Sequence, residues 1–173
     1  MRNYFFLSLL TILSVSCSDG DLEIETIDFD SVSLQYCTAP VATTKNILFK
    51  INDTEALILE LQSGVLNKGV VGETITTQST VPSQSKLTYR IFSGDVDDDY
   101  FCDDIPTVEP TVIDQVEAED GLVIIETTSD AENGNFVHTI SLSGISFVTE
   151  SGQRITNLSI SEFGTVTTEI PEG

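Results

Sequence analysis

Six aspartates fall within ten positions, Asp95, Asp97, Asp98, Asp99, Asp103 and Asp104, and they are the densest group of chemistry-bearing residues in the chain. Carboxylates crowded in this way suit a calcium ion, which takes six to eight hard oxygen ligands. The run Asp95-Val96-Asp97-Asp98-Asp99-Tyr100 nevertheless lacks the glycine and the bidentate glutamate of an EF-hand loop. The competing reading is a solvated acidic loop in a chain that is acidic throughout. His138 is the only histidine. A hydrolytic triad would need it beside a positioned nucleophile, and no serine sits in a Gly-x-Ser-x-Gly elbow. Acids are plentiful enough to pair for glycosidic chemistry. The chain has no Trp and only four Tyr, however, so it is poor in the flat aromatic surfaces on which sugars stack. These residues predict no catalytic set and no required cofactor, with calcium as the one metal to look for.

The N-terminus carries a different chemistry. Arg2 precedes a short apolar run, Tyr4 to Val15, which is too short to span a bilayer and suits the core of an export signal. The run ends at Ser14-Val15-Ser16-Cys17. Small residues ahead of a cysteine resemble a lipobox, where bacterial lipoproteins are cleaved and the new N-terminal cysteine is lipidated. The usual leucine three positions before the cysteine is replaced by Ser14, with Leu13 one residue early. Residues 1–16 are therefore expected to be a signal peptide, with Cys17 as the lipidated anchor. Ser18-Asp19-Gly20-Asp21 follows as a polar acidic tether. It lacks the inner-membrane retention aspartate next to the cysteine, and it resembles the surface-export stretch of Bacteroidota lipoproteins. An outer-membrane protein facing outward is the expected destination.

Three cysteines are an awkward number for an exported chain. With Cys17 lipidated, Cys37 and Cys102 remain as a pair for an oxidising compartment, and a disulfide is expected. The alternative, a zinc site, would have two thiols and one histidine to draw on. The two cysteines also lack the CxxC spacing of redox sites.

Composition sets the partners and the fold. A net charge of −21, from 7 basic and 28 acidic residues, argues against nucleic acid and against an anionic lipid surface. Membrane contact is expected through the lipid alone, with an unidentified protein or small ligand as partner. Val32–Tyr36, Lys86–Ser93, Leu122–Thr128 and Phe136–Thr149 alternate or are rich in β-branched residues, and read as strands. Two apolar runs, Asn46–Asn52 and Ala56–Leu61, flank the turn sequence Asn52-Asp53-Thr54-Glu55 and predict a hairpin. Gly144 marks a bulge or bend, and Ile155–Phe163 and Val166–Ile170 complete the set. Val112–Glu119 is the best helix candidate. Together these predict an all-β chain: a single antiparallel β-sandwich or barrel-like domain over residues 31–173, after a tether over residues 17–30.

The start Cys17-Ser18-Asp19-Gly20-Asp21, the segment Asp28-Phe29-Asp30, the early Cys37 and the run Tyr100-Phe101-Cys102-Asp103-Asp104-Ile105-Pro106 resemble a group of small lipoproteins from Bacteroidota, mostly flavobacterial. In similar proteins this region can precede acidic repeats or a peptidyl-prolyl isomerase module. No isomerase activity carries over to the residues present here. Asp30-Ser31-Val32 also resembles the O-glycosylation acceptor of Bacteroidota, which points to Ser31. The expected function is a non-catalytic surface lipoprotein that binds a ligand or supports the envelope. The alternative is a calcium-dependent adhesion or ligand-binding module using the Asp95–Asp104 loop.

Overall fold

The structure, a computed structural model, describes residues 27–170 apart from 106, 131, 150, 151, 153, 157, 160 and 161. The expected signal peptide, Cys17 and the expected tether up to residue 26 lie outside the described residues.

The chain runs β1 (Ile27–Asp28), β2 (Asn46–Asn52), β3 (Glu55–Leu61), β4 (Ile75–Thr80), β5 (Ser85–Phe92), α1 (Asp99–Cys102), β6 (Val112–Asp130), β7 (Asn135–Val148), β8 (Arg154–Ile155), β9 (Leu158–Ser159) and β10 (Glu162–Glu169). Eight strands form one antiparallel sheet in the order β10-β7-β6-β5-β3-β2, with β4 beside β6 and β8 beside β7. The all-β antiparallel expectation holds. Of its two forms the sandwich-like one is realised, because the terminal strands β10 and β2 do not pair to close a barrel.

β6 makes the sheet fold over. Its first part, Val112–Glu117, pairs with β5, while Leu122–Thr127 pairs with β4 along the same edge. Between them lie Asp120 and Gly121, at two register shifts against β7. Bulges add twist and bend a strand, which turns the two halves of the sheet toward one another. Leu57, Leu59 and Leu61 from one half then share a core with Val123, Ile125, Ile140, Phe163 and Val166 from the other. Removing each such side chain from water contributes about 1.5–3 kcal/mol.

The predicted hairpin is present, with Asn52 paired to Glu55 across a two-residue turn. Three expectations are corrected. Val112–Glu119 is strand rather than helix: Val112, Ile113 and Val116 are β-branched, and the ladder to β5 satisfies their backbone. Val32–Tyr36 meets β2 only at the Gln35–Phe49 bridge, while its Val32 and Leu34 pack against the main core. Ile155–Phe163 is broken into β8 and β9, and β9 leaves the sheet to pair in parallel with β1. That pairing bears on the tether too. Ile27 and Phe29 are fully buried, so packed structure begins before residue 31.

β2 and β3 have few polar positions because both their faces are covered over much of their length, Ile47 excepted. Leu57 and Leu59 point into the main core, while Ala56 and Ile58 join Phe49, Phe92 and Val96 in a second cluster on the outer face. An outer face this apolar needs a cover, and the acidic loop supplies it. Among the described residues no helix is long and apolar enough to cross a membrane.

Candidate functional site

Cys37 and Cys102 are joined, with their Cα atoms 5.1 Å apart, as the cysteine count predicts. The bond ties the segment after residue 36 to the four-residue helix α1. α1 in turn lays Phe101 against Phe49, stacked at 4.6 Å between ring centres, and Tyr100 edge-on to Phe92 at 4.9 Å. The Val96 N–H donates to Asp53 O at 2.9 Å and holds the start of the loop to the β2–β3 turn. The loop is thus a lid over the second cluster, with its apolar residues facing down.

Its carboxylates face the other way. Asp95, Asp97, Asp98, Asp99, Asp103 and Asp104 are all exposed. Repulsion from Asp103, then from Asp97 and Asp98, raises the pKa of the Asp99 carboxyl. Among the described residues no group of three or more His, Cys, Asp or Glu side chains is arranged to hold a metal ion. The sequence places these aspartates together, and the fold leaves them on the exposed surface, with Asp103, Asp97 and Asp98 near enough to Asp99 to repel its charge.

His138 is completely buried. It lies on β7 between Thr127 of β6, its cross-strand partner, and Thr168 of β10. Nδ1 lies 2.9 Å from the Thr127 hydroxyl, and Nε2 lies 2.9 Å from the Thr168 hydroxyl. A neutral imidazole fits both: its N–H donates to one hydroxyl, and its bare nitrogen accepts from the other. Burial lowers the pKa of the ring, which keeps it neutral. Stability should therefore be complete above the ordinary pKa of about 6.5 and fall as the pH drops below it, because the unfolded chain then takes up a proton that the folded chain refuses. We expect a slope of at most about 1.4 kcal/mol per pH unit between pH 6.5 and 5.5. Urea midpoints for the wild type and His138→Gln over this range check it. An equal slope in both would show that another group is responsible.

Lys50 is a residue that sequence reasoning missed. It sits in the apolar strand β2 and is only 4% exposed. Its Nζ donates to Phe29 O at 3.0 Å and stands 5.9 Å from the centre of the Phe163 ring. Loss of water pushes the ammonium's pKa down, against the pull of the Asp30 and Glu162 carboxylates. Lys50 clips the N-terminal segment to the body of the domain. The only signal in the sequence was a lone cation between Phe49 and Ile51. Ser31, on the same segment, is exposed in a turn.

A surface concavity lies elsewhere. A broad open groove of about 1320 Å³ lies between the loop at Ala39–Thr43, Lys68 and Val71, the β6–β7 turn at Asn133–Asn135, and the end of β10 from Thr167 to Ile170. Val41 and Val71 are 46% and 57% exposed on its walls. Only Lys68 and Glu169 among its lining residues carry charge. No single stretch of sequence announced it, since four distant segments build it.

No protein-family model, no curated protein and no solved structure matches this chain.

Proposed function

We propose that this chain is a lipid-anchored, non-catalytic module of the bacterial outer membrane, exposed at the cell surface, which binds a partner or supports envelope structure. The observation that carries the reading is Ser14-Val15-Ser16-Cys17 at the end of an apolar export run, followed at once by the acidic stretch Ser18-Asp19-Gly20-Asp21. The disulfide supports it, because such bonds persist in exported proteins. The histidine supports the non-catalytic part. The chain has one, and both its ring nitrogens are spent on buried threonine hydroxyls, which leaves it no path to a substrate proton. An open groove with almost no charge suits recognition of a partner rather than chemistry.

Cys17→Ala tests the anchor. In a bacterial host that processes lipoproteins, the wild type should incorporate an alkyne-tagged fatty acid and fractionate with the outer membrane. The variant should lose the label completely and either appear in the soluble fraction or accumulate unprocessed. Unchanged labelling and partition would sink the reading. Protease shaving of intact cells then separates an outward-facing chain from a periplasmic one.

A further inference from the structure

The turn that joins β6 to β7 carries the only Asn-Gly pair in the chain, Asn133-Gly134. Glycine has no side chain to shield its backbone nitrogen, and that nitrogen can attack the side-chain amide of the asparagine before it. The fold leaves this chemistry room. Glu132, Asn133 and Gly134 are all exposed. A Cβ built on Gly134 would meet nothing within 4 Å. The pair lies beyond the last rung of the ladder, Asp130 opposite Asn135, so closing a ring there disturbs no strand pairing. Asn133 Nδ2 donates to Asp130 Oδ2 at 2.7 Å, an exposed bond that water can replace. The turn is nevertheless connected to the rest of the domain. Gly134 O accepts from the Ile170 N–H at 2.9 Å, which pins the chain just past β10. Asn133 also lines the groove, where Lys68 and Glu169 are the charged residues.

We propose that Asn133 is a site of spontaneous covalent rearrangement, through which the turn and the groove wall change charge and shape as the protein ages. Gly134 N gives its proton to hydroxide and bonds to Asn133 Cγ. The Cγ–Nδ2 bond then breaks, and the nitrogen takes a proton from water and leaves as ammonia. The succinimide ring that remains takes up one water. Opening at one carbonyl gives aspartate, and opening at the other gives isoaspartate, whose main chain is one methylene longer. No oxidant or reductant enters. Either product puts a carboxylate where an N–H donor stood, so Asp130 Oδ2 faces a like charge instead of a partner. The extra main-chain atom of isoaspartate must be absorbed within the short turn. Both changes strain the contact between Gly134 and Ile170. In the groove the new charge joins Glu169 against Lys68. Neither the lipid anchor nor a bound partner enters the inference, so Cys17→Ala should age as the wild type does.

The test incubates the folded full chain in mild detergent at slightly alkaline pH, beside the same chain unfolded in guanidinium chloride. Peptide mapping should find residue 133 heavier by about one mass unit in both, divided between aspartate and isoaspartate. Asn52 and Asn67, which are followed by Asp53 and Lys68, should stay intact. In the aged folded chain the Ile170 amide should exchange about tenfold faster, the effect of one lost hydrogen bond. Asn133→Gln lengthens the side chain so that the five-membered ring cannot form, and it should show neither the mass gain nor the faster exchange. A gain confined to residue 133, together with faster exchange at Ile170, supports the proposal. Residue 133 intact in the folded chain overturns it, whatever the unfolded chain does, and so does equal conversion at Asn67. Conversion that leaves Ile170 exchange unchanged, or an equal change in aged Asn133→Gln, overturns it as well.

Discussion

Replacing Cys37 and Cys102 together by alanine is expected to cost about 4 kcal/mol of stability, the chain-entropy value for a bond between residues 65 apart. For a domain of this size that corresponds to a fall in Tm of about 12 °C. The loss should come with a specific structural change. The bond holds α1, and α1 holds Phe101 on Phe49 and Tyr100 on Phe92. Without it the lid bears a crowd of exposed aspartates whose mutual repulsion favours its departure. Once the lid lifts, the Phe49, Ala56, Ile58 and Phe92 face meets water. The variant should therefore bind an apolar dye such as ANS under conditions in which the wild type does not, and sodium chloride should reduce that binding by screening the carboxylates. Chemical reduction of the wild type should reproduce both effects. A midpoint within about 1 kcal/mol of the oxidised wild type would show that the lid is held by its aromatic contacts alone.

The lid also shows how far the sequence could be read. The pairing of Cys37 with Cys102 followed from counting thiols and from the expectation of export, and it needed no geometry. The Asp95–Asp104 stretch was legible as an irregular acidic segment. Its purpose was not, because Tyr100 and Phe101 become a cover only once Phe49 and Phe92 are placed beneath them. A clue was present in Ala56-Leu57-Ile58-Leu59, which does not alternate as a half-exposed strand does. An unbroken apolar run in an antiparallel hairpin implies cover on both faces, and this chain has few candidates for the second cover. Val112–Glu119 misled for the opposite reason. Its apolar positions 112, 113 and 116 fit one helical face, and only the ladder to β5 decides for strand. The groove was the least legible feature. Its wall and floor come from residues near 40, 70, 134 and 168, brought together by the sheet and by nothing local.

The corner in β6 is the second place where a small change should have a large effect. Gly121 has φ +130°, a conformation that L side chains rarely adopt. A Cβ added there would stand 2.6 Å from Ile145 Cδ1, 2.9 Å from Ile145 Cα and 3.1 Å from Ile145 N. The first of these is a side-chain tip that can swing aside. The other two belong to the β7 backbone, which is held in the ladder on either side of the corner by the Asp120–Ser146 and Leu122–Ser143 pairs. Gly121→Ala must therefore either spread β6 from β7 or straighten the bend, and straightening it pulls the two halves of the sheet off their shared core. Backbone strain and overpacking together give an expected loss of about 3 kcal/mol. Gly144, close to the same corner on β7, separates the two causes. Its φ is +62°, and a Cβ there meets nothing within 4 Å. Gly144→Ala carries the left-handed strain alone and should cost about 1 kcal/mol. The Gly121 carbonyl also accepts from the Val81 N–H at 3.0 Å, at the junction where β4 gives way to β5 along β6. A shifted corner should loosen this contact, so Gly121→Ala should speed amide exchange at Val81 while Gly144→Ala leaves it unchanged. Denaturation of the two variants side by side decides the matter. Equal losses would mean that the corner tolerates a methyl group and that the fold-over of the sheet is set elsewhere.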